Sequence, residues 1–368
     1  MQQHNPYRIL ISGGGTGGHI FPAIAIANAL KARDSRTELL FVGAEGRMEM
    51  QKVPEAGYKI EGLNITGFQR GNLLKNFALP FKIASSLMKA NSIINAFKPN
   101  VVVGVGGFAS GPTMWVAAKK GIPVLVQEQN QFAGMTNKLV AKSASKFCVA
   151  YEGMERFFPK DRIVITGNPV RKEILQRNVT REEAIQHFNL DPSKKTIMIV
   201  GGSLGARGIN NPIKNSLQAL QQSGHQLLWQ TGKIYFEEMK AAAQGFADVH
   251  AMEFIKRMDL AYEVADVIIS RAGATSISEL SIVGKPVILM PSPNVTEDHQ
   301  TFNAQALVDK SAALMVKDAE ASEKLIPSVL ALLNENEQQQ KLSTNIKRFA
   351  ITNAAERIAD EVIALIKK

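Results

Sequence analysis

Gly13, Gly15 and Gly18 stand at the spacing G-x-G-x-x-G within "SGGGTGGHIFPA" (12–23), and His19 follows directly. Glycines at this density let a backbone approach a phosphate, and a helix start beyond them offers free N–H groups to an anion. The spacing fits a dinucleotide site, but such a site also needs an acidic residue closing the second strand to hold a ribose. Here "LLFVGAEG" ends on Val42 and Gly43 with Glu45 displaced into the loop, which lowers the dehydrogenase reading. No G-x-x-x-x-G-K-[ST] occurs, so a Walker-type NTPase has no support. A histidine at a helix N-terminus is kept neutral, as a general base requires; its ring can equally cap backbone groups.

Three more glycine loops follow: "VGGFASGP" (105–112), "GGSLGA" (201–206) and "RAGATSISE" (271–279). One such loop is often only a tight strand-to-helix turn; four in one chain favour a ligand. Thr275, Ser276 and Ser278 add hydroxyl donors, and Glu279, one helical turn on, has the acceptors for two ribose hydroxyls. Glu279 read alone also fits a solvated helix residue. "QEQNQFAG" (127–134) sets Glu128 and Asn130 at a strand end, and "PSPNVTEDHQTFNA" (291–304) offers Asp298, His299, Gln300 and Asn303. Amides suit sugar hydroxyls, though each residue also fits turn or capping chemistry. The remaining histidines show no metal-ligand spacing, so neither a metal nor a cofactor is expected.

These residues need elements to hold them at one end of a sheet. Short β-branched runs alternate with helical segments: "RILIS", "LLFVG", "VVVGV", "PVLVQ", "FCVA" and "IVITG", then "TIMIV", "HQLLWQ", "DVIIS" and "PVILMP". Such continuous apolar strands with crossover helices predict α/β architecture with doubly wound parallel sheets. Strands stop between Ile165 and Lys195, and 368 residues exceed one core, so two domains are expected, 1–168 and 169–350. The halves repeat a strand, glycine loop and helix, predicting two similar domains facing a central cleft. "TNAAERIADEVIALIKK" (352–368) is amphipathic, a closing helix over 351–368.

Composition excludes several classes. The chain is 45% hydrophobic and 21% charged, as in globular proteins, with no membrane-span run and no signal-peptide pattern at its start. Cys148 is the sole cysteine, so no intramolecular disulfide forms; its apolar flanks predict a buried small side chain. A net charge of +10 suggests a polyanion or an anionic membrane surface, and no nucleic-acid signature is present. "FQRGNLLKNFALPFKIASSLMKA" (68–90) interleaves Leu73, Leu74, Phe77, Leu79 and Phe81 with Arg70, Lys75, Lys82 and Lys89. That basic amphipathic pattern suits a membrane interface, and also a core-facing helix with a basic rim.

In this order and across nearly the whole chain, "GGTGGHIFPA", "GGFASGP", "EQN…AG…TN", "GNPVR", "GGSLGA", "EFI", "GATSISE" and "DHQ…NA" resemble the MurG family. The resemblance implies a GT-B fold of two Rossmann-like domains. It implies an inverting transfer of N-acetylglucosamine from UDP-N-acetylglucosamine to undecaprenyl-diphosphate-linked muramoyl-pentapeptide, lipid I, giving lipid II for peptidoglycan. By the same resemblance Ser203 meets the donor phosphates, Ile255 reads uracil through its backbone, and Glu279 holds the ribose. Ala274, Thr275, Ser276, Ile277 and Ser278 line the sugar-diphosphate, and Gln300 binds the sugar hydroxyls. Asn130, Thr16, Gly17 and Gly18 close from the N-terminal domain, and Arg171 from the hinge. Some members carry a second glutamine where this chain has Thr301. His19 is the first candidate for the base, Glu128 the second. The location implied is peripheral, at the cytoplasmic face of the inner membrane. A UDP-N-acetylglucosamine 2-epimerase is the rival enzyme, and a non-catalytic nucleotide-sugar sensor the rival of another class.

Overall fold

The computed structural model describes residues 6–67 and 79–367. They form two compact units, one of residues 1–170 with 351–368, the other of 171–350. The chain thus passes from the first unit to the second at Val170–Arg171 and returns for its last helix.

The first unit holds a sheet of seven strands: β1 (Arg8–Ser12), β2 (Glu38–Ala44), β3 (Lys59–Leu63), β4 (Val101–Gly104), β5 (Val124–Glu128), β6 (Lys146–Val149) and β7 (Ile163–Ile165). Their order is β3-β2-β1-β4-β5-β6-β7 and every pairing is parallel. The order reverses beside β1, so the loops after β1 and β4 emerge side by side, which is where open α/β sheets bind ligands. Alternation along the strands fills two cores. Ile9, Ile11, Val101, Val103 and Cys148 enter one layer, and Leu10, Val102, Val126 and Phe147 the other. Burial on both faces explains why these strands read as unbroken apolar runs.

The C-terminal helix Ala354–Ile366 completes the first of these layers with Ile358, Ala359 and Val362, all fully buried against the helix Gly17–Arg33. Arg33 pairs with Asp360 at 2.9 Å across that contact, but both are largely exposed, so apolar burial carries the attachment.

The second unit repeats the plan with β8 (Thr196–Val200), β9 (Gln226–Gln230), β10 (Val249–Met252), β11 (Val267–Ser270), β12 (Val287–Leu289) and β13 (Leu314–Met315). The order β10-β9-β8-β11-β12-β13 is parallel throughout. Trp229 lies at the centre of its core, fully buried, with its indole N–H donated to Asn210 Oδ1 at 3.1 Å. Ahead of β8 in the chain, the helix Arg181–Phe188 of this second unit starts on a capping box of Thr180 and Glu183.

Three strands are not apparent from the apolar runs: β3, β10 and β13. Each is a sheet edge. An edge strand has one neighbour and a solvated side, so "KIEGL" alternates in exposure and "VHAM" is half-buried throughout.

Of the basic amphipathic stretch, residues 68–78, including Arg70, Leu73, Leu74, Lys75 and Phe77, lie outside the described residues. The remainder begins the helix Leu79–Phe97. Ser86, Ala90, Ile93 and Ile94 turn inward at helical spacing, while Phe81 and Met88 are 78% and 69% exposed.

Candidate active site

The loop after β1 is closed by a residue from another element. Glu49 opens the helix Glu49–Glu55 and is 1% exposed; its carboxylate accepts the Gly15 N–H at 2.8 Å and the Ala44 N–H at 3.0 Å. An internal anion therefore already takes an amide that the dinucleotide spacing would offer to a phosphate. A Cβ at Gly14 would overlap that carboxylate, so glycine is required there. The loop also lies against the one after β4: Gly14 N–H donates to the Gly106 carbonyl at 3.2 Å, and a Cβ at Gly107 would overlap the Gly14 backbone.

Thr16 caps the helix Gly17–Arg33 through its extended backbone, and His19 is the third residue of that helix. Thr16 and Gly18 are exposed, Gly17 and His19 half-buried. His19 N–H donates to the Thr16 carbonyl at 3.1 Å, and the ring sets Nδ1 3.0 Å from Gln129 Oε1. The edge of the imidazole lies against Gly106, where a Cβ would come within 2.8 Å of Cε1.

Glu128 closes β5 and is 1% exposed. One oxygen accepts from Asn130, backbone N–H at 3.0 Å and Nδ2 at 3.3 Å; the other accepts the Gly134 N–H at 2.9 Å and Asn137 Nδ2 at 2.8 Å. A carboxylate has about four acceptor positions, and here all are taken. Glu128 folds the loop that presents Asn130, and no lone pair is left over for a substrate hydroxyl.

In the second unit, Ser203 is exposed on the loop after β8 and its carbonyl accepts the Lys233 N–H at 3.1 Å. The loop after β11 leads into the helix Ala274–Val283, capped by Gly273 in extended geometry. Its first-turn N–H groups have no acceptor within the helix, as at any helix start. Ala274 and Ile277 are buried; Thr275, Ser276 and Ser278 are half-buried. Thr275 Oγ1 is buried with no hydrogen-bond partner, whereas Ser278 Oγ donates back to the Ala274 carbonyl at 3.0 Å.

Glu279 is 4% exposed, not a solvated helix residue. Arg171 donates to both its oxygens, Nε at 2.6 Å and Nη2 at 2.7 Å, and Tyr262 OH donates at 3.2 Å. Burial, with the Glu279 charge beside it, pushes the Tyr262 phenol well above its ordinary value, so it stays a donor. Ile255 is fully buried and gives its N–H to Gln230 Oε1 at 2.9 Å.

Gln300, half-buried near the start of the helix His299–Val308, accepts the Ser292 N–H at 2.9 Å. Glu297 and Asp298, just before it, both adopt left-handed backbone, φ 58° and 50°. For non-glycine residues this costs on the order of 1 kcal/mol each, as is common where a loop is shaped for a ligand. Thr301 Oγ1 donates to Asp298 Oδ1 at 2.7 Å, bracing that turn. Among the described residues no group of three or more His, Cys, Asp or Glu side chains forms a metal site.

Glu49, Gln129, Gln230 and Tyr262 are the residues that motif spacing missed. Gln129 had a signal, since strand alternation puts Gln127 and Gln129 on the side opposite Glu128. The other three reach their partners from different elements, which local spacing does not encode.

Residues 9–149 match the family model for the glycosyltransferase family 28 N-terminal domain, and residues 196–359 that for the family 28 C-terminal domain. A relative in Phocaeicola vulgatus, named UDP-N-acetylglucosamine--N-acetylmuramyl-(pentapeptide) pyrophosphoryl-undecaprenol N-acetylglucosamine transferase, is 58% identical over 98% of this chain and 97% of its own. The crystal structure of Acinetobacter baumannii MurG matches at TM-score 0.80 and 28% identity, covering 98% of this chain and 100% of that one. A putative UDP-N-acetylglucosamine 2-epimerase from Listeria monocytogenes matches at TM-score 0.71 but 14% identity, covering 98% and 97%. That last likeness is one of fold alone and does not favour the epimerase reading. The two parallel-sheet units, matched end to end by close transferase relatives, make this chain a GT-B glycosyltransferase of the MurG family.

Proposed function

We propose that the chain transfers N-acetylglucosamine from UDP-N-acetylglucosamine to the 4-hydroxyl of the muramoyl sugar of lipid I, forming lipid II. The observation that carries this reading is the N-terminus of the helix Ala274–Val283. Its open amides, the unpartnered Thr275 hydroxyl and Glu279 one turn on form an array suited to a nucleotide diphosphate. Ala274, Thr275, Ser276, Ile277, Ser278 and Ser203 surround the diphosphate and Gln300 meets the sugar. Ile255 offers its carbonyl to the base, its N–H being held by Gln230. Glu279 receives the ribose on lone pairs that Arg171 covers in the free protein, and Arg171 turns toward the phosphates.

His19 takes the proton of the attacking hydroxyl while Thr16, Gly17, Gly18 and Asn130 line the acceptor side. As the new C1–O4 bond forms, the bond from C1 to the phosphate oxygen breaks on the opposite face and UDP departs with inversion. The negative charge gathering on UDP is stabilised by the helix amides, which are aligned before the reaction and need no metal. Glu128 is not the base on this reading; it shapes the loop of Asn130.

The lipid acceptor sits in a bilayer, and among the described residues no helix is long and apolar enough to cross one. We assign membrane contact at the cytoplasmic face to the exposed Phe81 and Met88 with the neighbouring Lys82 and Lys89, each cation adding about 1 kcal/mol on an anionic surface.

Transfer of labelled N-acetylglucosamine to a lipid I analogue, run with and without chelator, tests the reaction. Product and UDP form in equal amounts only when the acceptor is present, with or without chelator. UDP release or epimerisation without acceptor would refute the assignment. His19→Ala lowers kcat by about 10²–10⁴ if the ring takes the proton; near-normal kcat with raised donor KM makes it a binding residue. Vesicle flotation with Phe81→Ser and Met88→Ser tests the surface, and undiminished binding rules it out.

A further inference from the structure

Gln129 stands between His19 and a buried chain of amides. Its Oε1 is 3.0 Å from His19 Nδ1, while its Nε2 is 2.9 Å from the Val105 carbonyl oxygen and also contacts Gln127 Oε1. A backbone carbonyl only accepts, so the NH₂ must face Val105 and the oxygen must face the imidazole. The reversed amide would set two acceptors together at a residue only 1% exposed, at the cost of an unmade buried hydrogen bond.

A second carbonyl fixes the chain from its other end. Asn168 Nδ2 donates to the Gln129 carbonyl at 3.0 Å, which turns Asn168 Oδ1 toward Gln127 Nε2, also at 3.0 Å. That leaves Gln127 Oε1 to accept from Gln129. Gln127, Gln129 and Asn168 are each 2% exposed or less, and no member can flip without breaking the next.

We propose that Gln129 is a positioning residue that holds His19 in the Nδ1–H tautomer, placing the ring's lone pair on Nε2. An oxygen acceptor at 3.0 Å requires a proton on Nδ1, and in a neutral imidazole the other nitrogen is then the acceptor. The contact of the ring with Gly106 holds its plane while the Gln129 hydrogen bond selects the nitrogen. The catalytic consequence rests on the reading of His19 as the base; the tautomer does not.

The experiment is a long-range proton–nitrogen NMR correlation on full-length protein labelled with ¹⁵N-histidine, recorded at alkaline pH. His19→Asn assigns the His19 signals. Wild type shows Nδ1 protonated and Nε2 bare; an Nε2–H or mixed His19 overturns the inference. Gln129→Met, with no acceptor, moves the ring to Nε2–H, and an unchanged tautomer again overturns it. In Gln129→Glu the acceptor is kept and charged, so Nδ1–H persists with a displaced resonance. Should Gln129→Met fail to fold, an unmoved resonance in Gln129→Glu overturns the inference instead. Kinetically, Gln129→Met lowers kcat by about tenfold or more with donor KM little changed, and Gln129→Glu restores part of it. A His19→Asn variant with full kcat would refute the base reading alone and leave the tautomer result standing.

Discussion

The guanidinium of Arg171, the first residue of the second unit, grips both carboxylate oxygens of Glu279 at 2.6 and 2.7 Å. Glu279 is almost wholly buried while the Arg171 side chain keeps 40% exposure, so the pair is worth less than one fully withdrawn from water. Arg171→Met leaves a buried carboxylate with Tyr262 as its remaining side-chain donor among the described residues. The expected loss is about 1–3 kcal/mol, below the cost of breaking a fully buried pair. Thermal unfolding of Arg171→Met, Glu279→Gln and the double variant checks it: the double variant loses less than the two single losses together. Strict additivity would show that the two do not interact.

Glu128 accepts four hydrogen bonds within its own loop, and glutamine at 128 supplies one oxygen where two are needed. Glu128→Gln turns an NH₂ against donors and costs about 1–3 kcal/mol. The melting temperature falls, and kcat falls less than tenfold in protein that remains folded. A loss of 10² or more without loss of stability would return Glu128 to the role of base.

Cys148 is fully buried on β6, and burial, with the Glu361 charge adding, pushes its thiol up to about 12. Native protein at pH 8 therefore resists an aromatic disulfide reagent, and one thiol per chain reacts after denaturation. In an unfolded chain the thiol ionises near 8.5. Its contribution to stability is thus present below that pH and lost as pH rises toward 12. Cys148→Ala removes this share of the alkaline loss, measurable as a flatter dependence of unfolding free energy on pH above about 9.

The C-terminal helix returns from the second unit to roof the layer of Ile9, Ile11 and Val103. Ile358→Ala opens a cavity in that layer at a cost of about 2–5 kcal/mol. Because the residue belongs to the first unit, the lower-melting transition should follow that unit's core, and UDP binding to the second should be little changed. Calorimetry with isothermal titration of UDP separates the two effects.

The parallel-sheet plan was legible in the chain because the middle of a strand buried on both faces must be apolar on both, as Ile9–Ile11 of "RILIS" and Ile197–Val200 of "TIMIV" are. The glycine loops were legible for the same kind of reason: the backbone must bend where β1, β4, β8 and β11 end. Of the four edge strands, β7 kept a short apolar run, whereas β3, β10 and β13 escaped because one solvated side removes the pattern. The return of residues 351–368 to the first unit was not legible either, since amphipathic spacing says that a helix is covered and not by what.

At the site, residue type and position along the chain determined which groups are available: a histidine in the first turn of a helix, a carboxylate one turn into another, an amide-rich strand end. Partners decided what those groups do, and for Gly15, His19 and Glu279 the partners come from other elements of the chain. Glu49 rather than a phosphate meets the Gly15 amide, Arg171 and Tyr262 cover Glu279, and Glu128 is spent on its own loop. The glycine spacing at 13–18 specifies a bend close enough to admit an anion, but only the packing of a separate helix supplies one from within. A hydrogen bond has a direction and a single pair of atoms; its partner is set by three-dimensional packing, which no local spacing encodes.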